Sequence, residues 1–177
     1  MDNLIKKKLI EYQKRNRCTY LGVGPISLNC VDVTIDLANR YEIPIFLIAS
    51  RRQIDDDFCG GGYVNNWTTD KFSSYVTKRD KKGKIYLARD HGGPWQNPIE
   101  IEMNLGLRQA MESAKKSYLA DIKSGFQIIH IDPSIDIHSK PKIEEVLERV
   151  FELYEYCWSK ARDLNQNITF EIGTEEQ

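Results

Sequence analysis

A short β-rich run followed by a longer stretch of helical periodicity recurs along almost the whole chain, and this alternation limits the fold more than any other feature. Repeated β-α units build a parallel sheet flanked by helices. After a Lys-rich first helix, residues 19–23 read as the first strand. Val31, Ile35 and Ala38 then supply a helical stripe that ends near Arg40, with Asn29 as its expected N-cap. Residues 45–49 form the continuous apolar run of a strand covered on both faces. A long polar segment containing Gly60-Gly61-Gly62 follows it, through Asp70. Phe72, Tyr75 and Val76 predict a helix starting at Thr69 or Asp70, Gly83 ends the connection, and residues 85–88 read as the third strand. Asn97-Pro98 predicts a helix start, its buried face carrying Leu107, Ala110, Met111, Ala114, Tyr118 and Ile122, and Gly125 its stop. Residues 126–131 read as the fourth strand, Pro141 as the opening of a helix striped from Ile143 to Ala161, and residues 168–172 as the fifth strand.

Five parallel strands fit a doubly wound α/β sheet or the N-terminal portion of a TIM (β/α)8 barrel. The expectation taken forward is a single incomplete TIM-barrel domain over residues 1–177. A complete barrel takes about 250 residues, so this length stops roughly three β-α units short.

Charge excludes some functions. Twenty-five basic residues against 26 acidic ones leave a net charge of −1, with no basic field to recommend nucleic acid or an anionic membrane. The longest apolar stretch, residues 43–49, is broken by Pro44 and is too short for a bilayer. No signal-peptide pattern follows the basic N-terminus, so a cytoplasmic location is expected. Cys18, Cys30, Cys59 and Cys157 are scattered without metal or redox spacing, and are read as reduced packing residues.

In parallel α/β folds the reacting groups gather where strands end. Strand two ends in Ser50-Arg51-Arg52, strand three in Arg89-Asp90-His91-Gly92-Gly93-Pro94-Trp95, strand four in Asp132-Pro133-Ser134, and strand five in Glu171-Ile172-Gly173-Thr174-Glu175. The most informative element is Asp90-His91-Gly92-Gly93. An imidazole at a barrel mouth can bind zinc, and the adjacent carboxylate, on the other side of the strand, can move a proton. The two glycines let the backbone turn and approach a ligand. The plainer alternative makes Asp90 a turn cap and His91 hydrogen-bonded packing. Asp132 and Ser134 can hold a sugar or phosphate, or can be turn chemistry. Glu171 and Glu175 can complete a metal site, or belong to a solvated acidic end. The glycine triplet lacks P-loop spacing and reads as a flexible loop, Asp55-Asp56-Asp57 as a solvent-facing charge run, His130 as a hydrogen-bonded core histidine, and His138 as solvent-facing. Trp95 and Gln96 can wall a pocket, or Trp95 can cover the barrel rim.

Several blocks together resemble the accessory subunit family of class II D-tagatose-1,6-bisphosphate aldolase. They are Ile48-Ala49-Ser50 with the glycine loop of residues 53–63, ARDHGGPWQ at 88–96, GFQIIHIDPS at 125–134 and IGTE at 172–175. The resemblance implies a TIM barrel related to zinc-dependent ketose-bisphosphate aldolases, which split the sugar into glycerone phosphate and glyceraldehyde 3-phosphate. It makes Asp90 the proton-transferring aspartate, His91 a zinc ligand, and Glu171 or Glu175 the strand-five carboxylate. Ser50, Gly92, Gly93, Asp132 and Ser134 are the expected contacts to a sugar-phosphate ligand. Accessory members are non-catalytic partners of a catalytic aldolase subunit, and the metal site of the catalytic enzymes is completed by histidines from later strands. An accessory role through that partner, or through self-association, is therefore expected. The alternatives are a metal-dependent aldolase or sugar epimerase in its own right, and a non-enzymatic decayed fragment.

Overall fold

Strands β1 (Leu21–Val23), β2 (Ile45–Ser50), β3 (Ile85–Gly92), β4 (Ile128–Ile131) and β5 (Thr169–Ile172) alternate with helices in the computed structural model, which describes residues 4–16 and 19–173. Every neighbouring pair is parallel, and the spatial order equals the chain order. That order separates the two architectures. A doubly wound sheet reverses its strand order at a switch point, whereas a barrel adds each strand to the same edge. The chain is an α/β protein with the form of a partial TIM-like barrel, its sheet not closed.

The helices are α1 (Leu4–Asn16), α2 (Leu28–Tyr41), α3 (Thr69–Arg79), α4 (Pro98–Glu102), α5 (Leu107–Lys123) and α6 (Ile143–Asp163). Local chemistry sets their ends, and it moves three expected boundaries. Ser27, not Asn29, caps α2, because the Ser27 side chain accepts from the Cys30 N–H while Asn29 already lies in the first turn. Asn97 caps its helix as expected, accepting from the Ile99 N–H with Pro98 behind it. That helix ends after five residues, however, and α5 starts afresh behind Gly106. Asn104 stands between them in the left-handed region, at φ 50°, and the apolar stripe resumes only at Leu107. Pro141 lies just outside α6, whose N-terminus is closed by Glu145 accepting from the Lys142 N–H at 2.7 Å.

Alternation along the strands sorts the side chains into two layers. Ile45, Leu47, Ala49, Ile85, Leu87, Ile129 and Ile131 face the helices, where they pack with Val31, Ile35, Phe72, Met111, Tyr118, Ile122 and Leu153. The alternate positions face the concave side. At its C-terminal end the pairing Ser50↔Asp90 and His130↔Glu171 sets up one inner row, Ser50, Asp90, His130 and Glu171, across four strands. Among the described residues no helix is long and apolar enough to cross a membrane, and Cys30, Cys59 and Cys157 are free thiols.

Candidate functional site

The third strand carries the core of the mouth, and it is not regular there. Between Arg89↔Ile129 and Gly92↔Ile131, β3 spends three steps where β4 spends two, so β3 bulges by one residue. His91 takes up the excess in the left-handed region, φ 41°. The bulge cancels the alternation expected of neighbouring residues. Asp90 and His91, predicted on opposite sides of the strand, instead lie together, with His91 Nε2 3.7 Å from Asp90 Oδ1 and about a third of each side chain exposed.

His91 is held from behind. Its Nδ1 lies 2.7 Å from Asp132 Oδ2, and since a carboxylate only accepts, Nδ1 carries a proton and, in the neutral ring, Nε2 the lone pair. Asp132 itself is fully buried, its Oδ1 accepting from the Ser134 N–H at 3.1 Å and hydroxyl at 2.6 Å. Gln96 donates a further, longer bond to Oδ2 at 3.4 Å. A buried carboxylate that fixes a histidine tautomer serves equally a metal ligand or a proton-transferring base. Asp132 and Ser134, expected at a sugar or phosphate, sit in this supporting layer.

His130 is the site residue that sequence reading set aside. Only 7% exposed, it packs against His91 with the rings tilted and their centroids 4.8 Å apart. Asp90, His91 and His130 bring one potential ligand atom each within 4.8 Å of one another, a group able in principle to hold a cation. The hydrogen bonds argue against His130 as a donor to zinc. Its Nδ1 already accepts the His91 backbone N–H at 3.2 Å, so in the neutral ring Nε2 bears the proton and has no lone pair to give. Two donors remain, where protein zinc sites use three or four. The described residues do not by themselves make a zinc site.

The other expected residues fall as follows. Ser50 ends β2 beside Asp90, its hydroxyl near the Gln53 N–H at 3.4 Å and its own N–H donated to the Gln53 side chain at 2.9 Å. Gly92 and Gly93 are buried and meet protein: a Cβ on Gly92 would lie 2.4 Å from the Tyr118 ring, and one on Gly93 2.2 Å from the Asp132 carbonyl. Glu171 is exposed on the inner face next to His130, outside the Asp90–His91–His130 group. Glu175 lies outside the described residues. The three glycine-loop N–H groups donate to the carbonyls of Asp57, Asp56 and Trp67, which leaves them none for a phosphate. His138 is exposed and bonded to the Leu105 carbonyl, and Trp95 is a fully buried cover with its indole N–H on the same carbonyl.

Behind the mouth lies a buried ionic frame. Asp55, read as part of a solvent-facing run, is fully buried. Arg51 donates to Asp55 at 2.9 Å, to Glu100 at 2.7 Å and to the Gly93 carbonyl at 2.8 Å. Asn97 and Ser117 complete the Asp55 carboxylate at 2.7 and 2.6 Å. Burial works to raise the Asp55 pKa, but the Arg51 and Arg89 charges and these hydrogen bonds outweigh it and hold the carboxyl below its usual range. For Glu100 burial wins over Arg51, and its carboxyl is raised. Arg89 is a second such anchor, gripping Asp121 of α5 through two bonds of 2.8 and 2.6 Å and donating to the Ala49 and Ile54 carbonyls. The signal missed was Asp55 four residues after Arg51, a spacing within ion-pair reach once the strand ends in a turn.

No protein-family model and no curated protein sequence matches the chain. Among solved structures it is similar to a probable tagatose 6 phosphate kinase from Sinorhizobium meliloti 1021, with a TM-score of 0.67 and 23% identity over 89% of this chain. The chain spans 39% of the length of that protein. At this identity the likeness shows the fold.

Proposed function

We propose that the chain serves carbohydrate metabolism as the accessory component of a two-part class II aldolase of the tagatose-bisphosphate type, presenting a ketose-phosphate-binding mouth to a catalytic subunit. The observation that carries this reading is the Asp90–His91 pair at the mouth, backed by Asp132, in a chain whose described residues stop short of a zinc site. Such a mouth can orient a polyhydroxylated ligand and exchange a proton with it, while the metal that stabilises an enediolate belongs to the partner. The DHGGP and GFQIIHIDPS blocks support the aldolase relationship. The similar structure supports the sugar class, being named for a phosphorylated tagatose, although as a kinase.

Cleavage of tagatose 1,6-bisphosphate by the purified chain, by a catalytic subunit, and by the two together tests the proposal. The chain alone should be inactive with or without zinc, and the mixture should exceed the catalytic subunit in rate or in lifetime at elevated temperature. Turnover by the chain alone, abolished by Asp90→Asn, would establish instead an aldolase in its own right.

A further inference from the structure

The two imidazoles carry their protons on opposite ring nitrogens, His91 through its bond to Asp132 and His130 through the His91 backbone N–H. His91 occupies the left-handed region, a conformation costly for a residue with a Cβ unless its surroundings hold it there. Its N–H is turned to His130 Nδ1, at 3.2 Å. The surroundings fix where the His130 ring sits. Tyr118 of α5 donates its hydroxyl to the His130 carbonyl at 3.1 Å, reaching it through the space that Gly92 leaves by lacking a Cβ. Gly173, at the end of β5, leaves the space on the other side, where a Cβ would lie 2.6 Å from His130 Nε2. That Nε2 is buried and has no hydrogen-bond partner among the described residues.

We propose that His130 is the positioning residue of the Asp90–His91 pair: through Nδ1 it holds the β3 bulge that turns both side chains to the same side, and it does not ligate metal. Losing this acceptor removes the bond that holds the backbone N–H of a strained residue, so the bulge relaxes towards regular pairing. One of the two side chains then swings out of the mouth. The geometry stands independently of the function proposed above, and only its consequence for ligand binding rests on that reading.

Two substitutions separate the acceptor from mere bulk. Asparagine places a carbonyl oxygen where Nδ1 stands, whereas leucine fills the space without an acceptor. In the 15N-labelled chain, imidazole spectra should show His130 protonated at Nε2 and His91 at Nδ1. Exchange of the His91 amide with solvent should accelerate at least about tenfold in His130→Leu and stay within about twofold of the parent in His130→Asn. Addition of zinc should leave the His130 nitrogens unshifted. A parent His130 protonated at Nδ1, a zinc-induced shift at its Nε2, or equal exchange in the two variants overturns the inference. If His130→Leu fails to fold, the parent spectra and His130→Asn still decide it. Glycerone phosphate should bind His130→Leu about tenfold more weakly than the parent, and His130→Asn nearly as well as the parent. Failure of the parent to bind it counts against the proposed function, and the tautomer spectra then decide the role of His130 by themselves.

Discussion

Replacing Arg51 with methionine should remove more stability than any other single change behind the mouth. The guanidinium is 1% exposed and is the only cation within hydrogen-bond reach of both Asp55 and Glu100 among the described residues, each carboxylate being fully buried. At an effective dielectric constant of about 20, each contact at roughly 3–4 Å carries about 4 kcal/mol of Coulomb energy. Relief of the guanidinium's own desolvation returns part of the two contributions. Stranding two buried carboxylates leaves a net cost of about 3–5 kcal/mol, a large share of the 5–15 kcal/mol typical of a whole domain. Urea unfolding at pH 8 measures it directly. The sign of the pH dependence provides a sharper check. Without Arg51 the folded-state pKa values of both carboxyls rise above their unfolded values of about 4. A raised group contributes stability that is fully present below the unfolded pKa and is lost as pH rises through the folded one. The deficit should therefore be smaller at pH 5 than at pH 8. A loss under about 1 kcal/mol, or a deficit that grows towards low pH, would refute the frame as described.

Three further outcomes follow from the same geometry. Gly93→Ala forces a Cβ to within 2.2 Å of the Asp132 carbonyl and should cost about 3 kcal/mol or more in chemical denaturation; a loss under about 1 kcal/mol would mean that the loop yields freely. Asp132→Asn can present an amide N–H to His91 Nδ1, so imidazole NMR should find the His91 proton moved to Nε2; an unchanged tautomer would show that another group sets it. The Cys59 thiol is pushed up to about 11, chiefly by burial and next by Asp55, so at pH 8 a thiol reagent should modify it only as fast as the protein unfolds; rapid labelling of the folded chain, located by mass spectrometry, would contradict this.

Legibility of the fold in the sequence followed the strength of the local signal. The apolar run of β2 and the stripes of α2, α5 and α6 are unmistakable because a parallel sheet covered by helices writes its core directly into hydrophobic periodicity. The α4–α5 break was overlooked because the Asn97-Pro98 cap and the Leu107 stripe both announce a helix, and the local stop signal between them, Asn104 with Gly106, was outweighed. At the mouth, Asp90, His91 and Asp132 stood out through their place at strand ends. His130 did not, although alternation with Ile129 and Ile131 puts it on the inner face beside Asp90. The β3 bulge was beyond reach: it arises from a contact between residues 39 apart, and only the assembled sheet brings that acceptor to His91. Asp55 was misread for a similar reason, since its cation is local but its burial comes from α4 and α5.

The segment from Arg89 to Trp95 shows how stability and chemistry divide along one short stretch. Arg89 is tied to Asp121, the Gly93 carbonyl to Arg51, the Trp95 N–H to Glu100 at 2.6 Å and the Trp95 indole to Leu105. Arg51, Arg89, Trp95, Glu100 and Asp121, which make these bonds, are all buried. Asp90 and His91, between the first two anchors, are the residues turned towards the concave face, and their partners His130 and Asp132 come from the adjacent strand. Anchoring the stretch before and after the pair fixes its backbone without drawing on the groups that meet a ligand. The bulge can therefore hold a strained residue in place, and the orientation of the pair is set before any ligand arrives. On this account a fault in the anchors and a fault in the bulge must differ in kind. Arg51→Met lowers global stability while the His91 amide exchanges only through global unfolding, whereas His130→Leu opens the bulge locally at nearly unchanged global stability, a distinction that hydrogen exchange at residue 91 resolves.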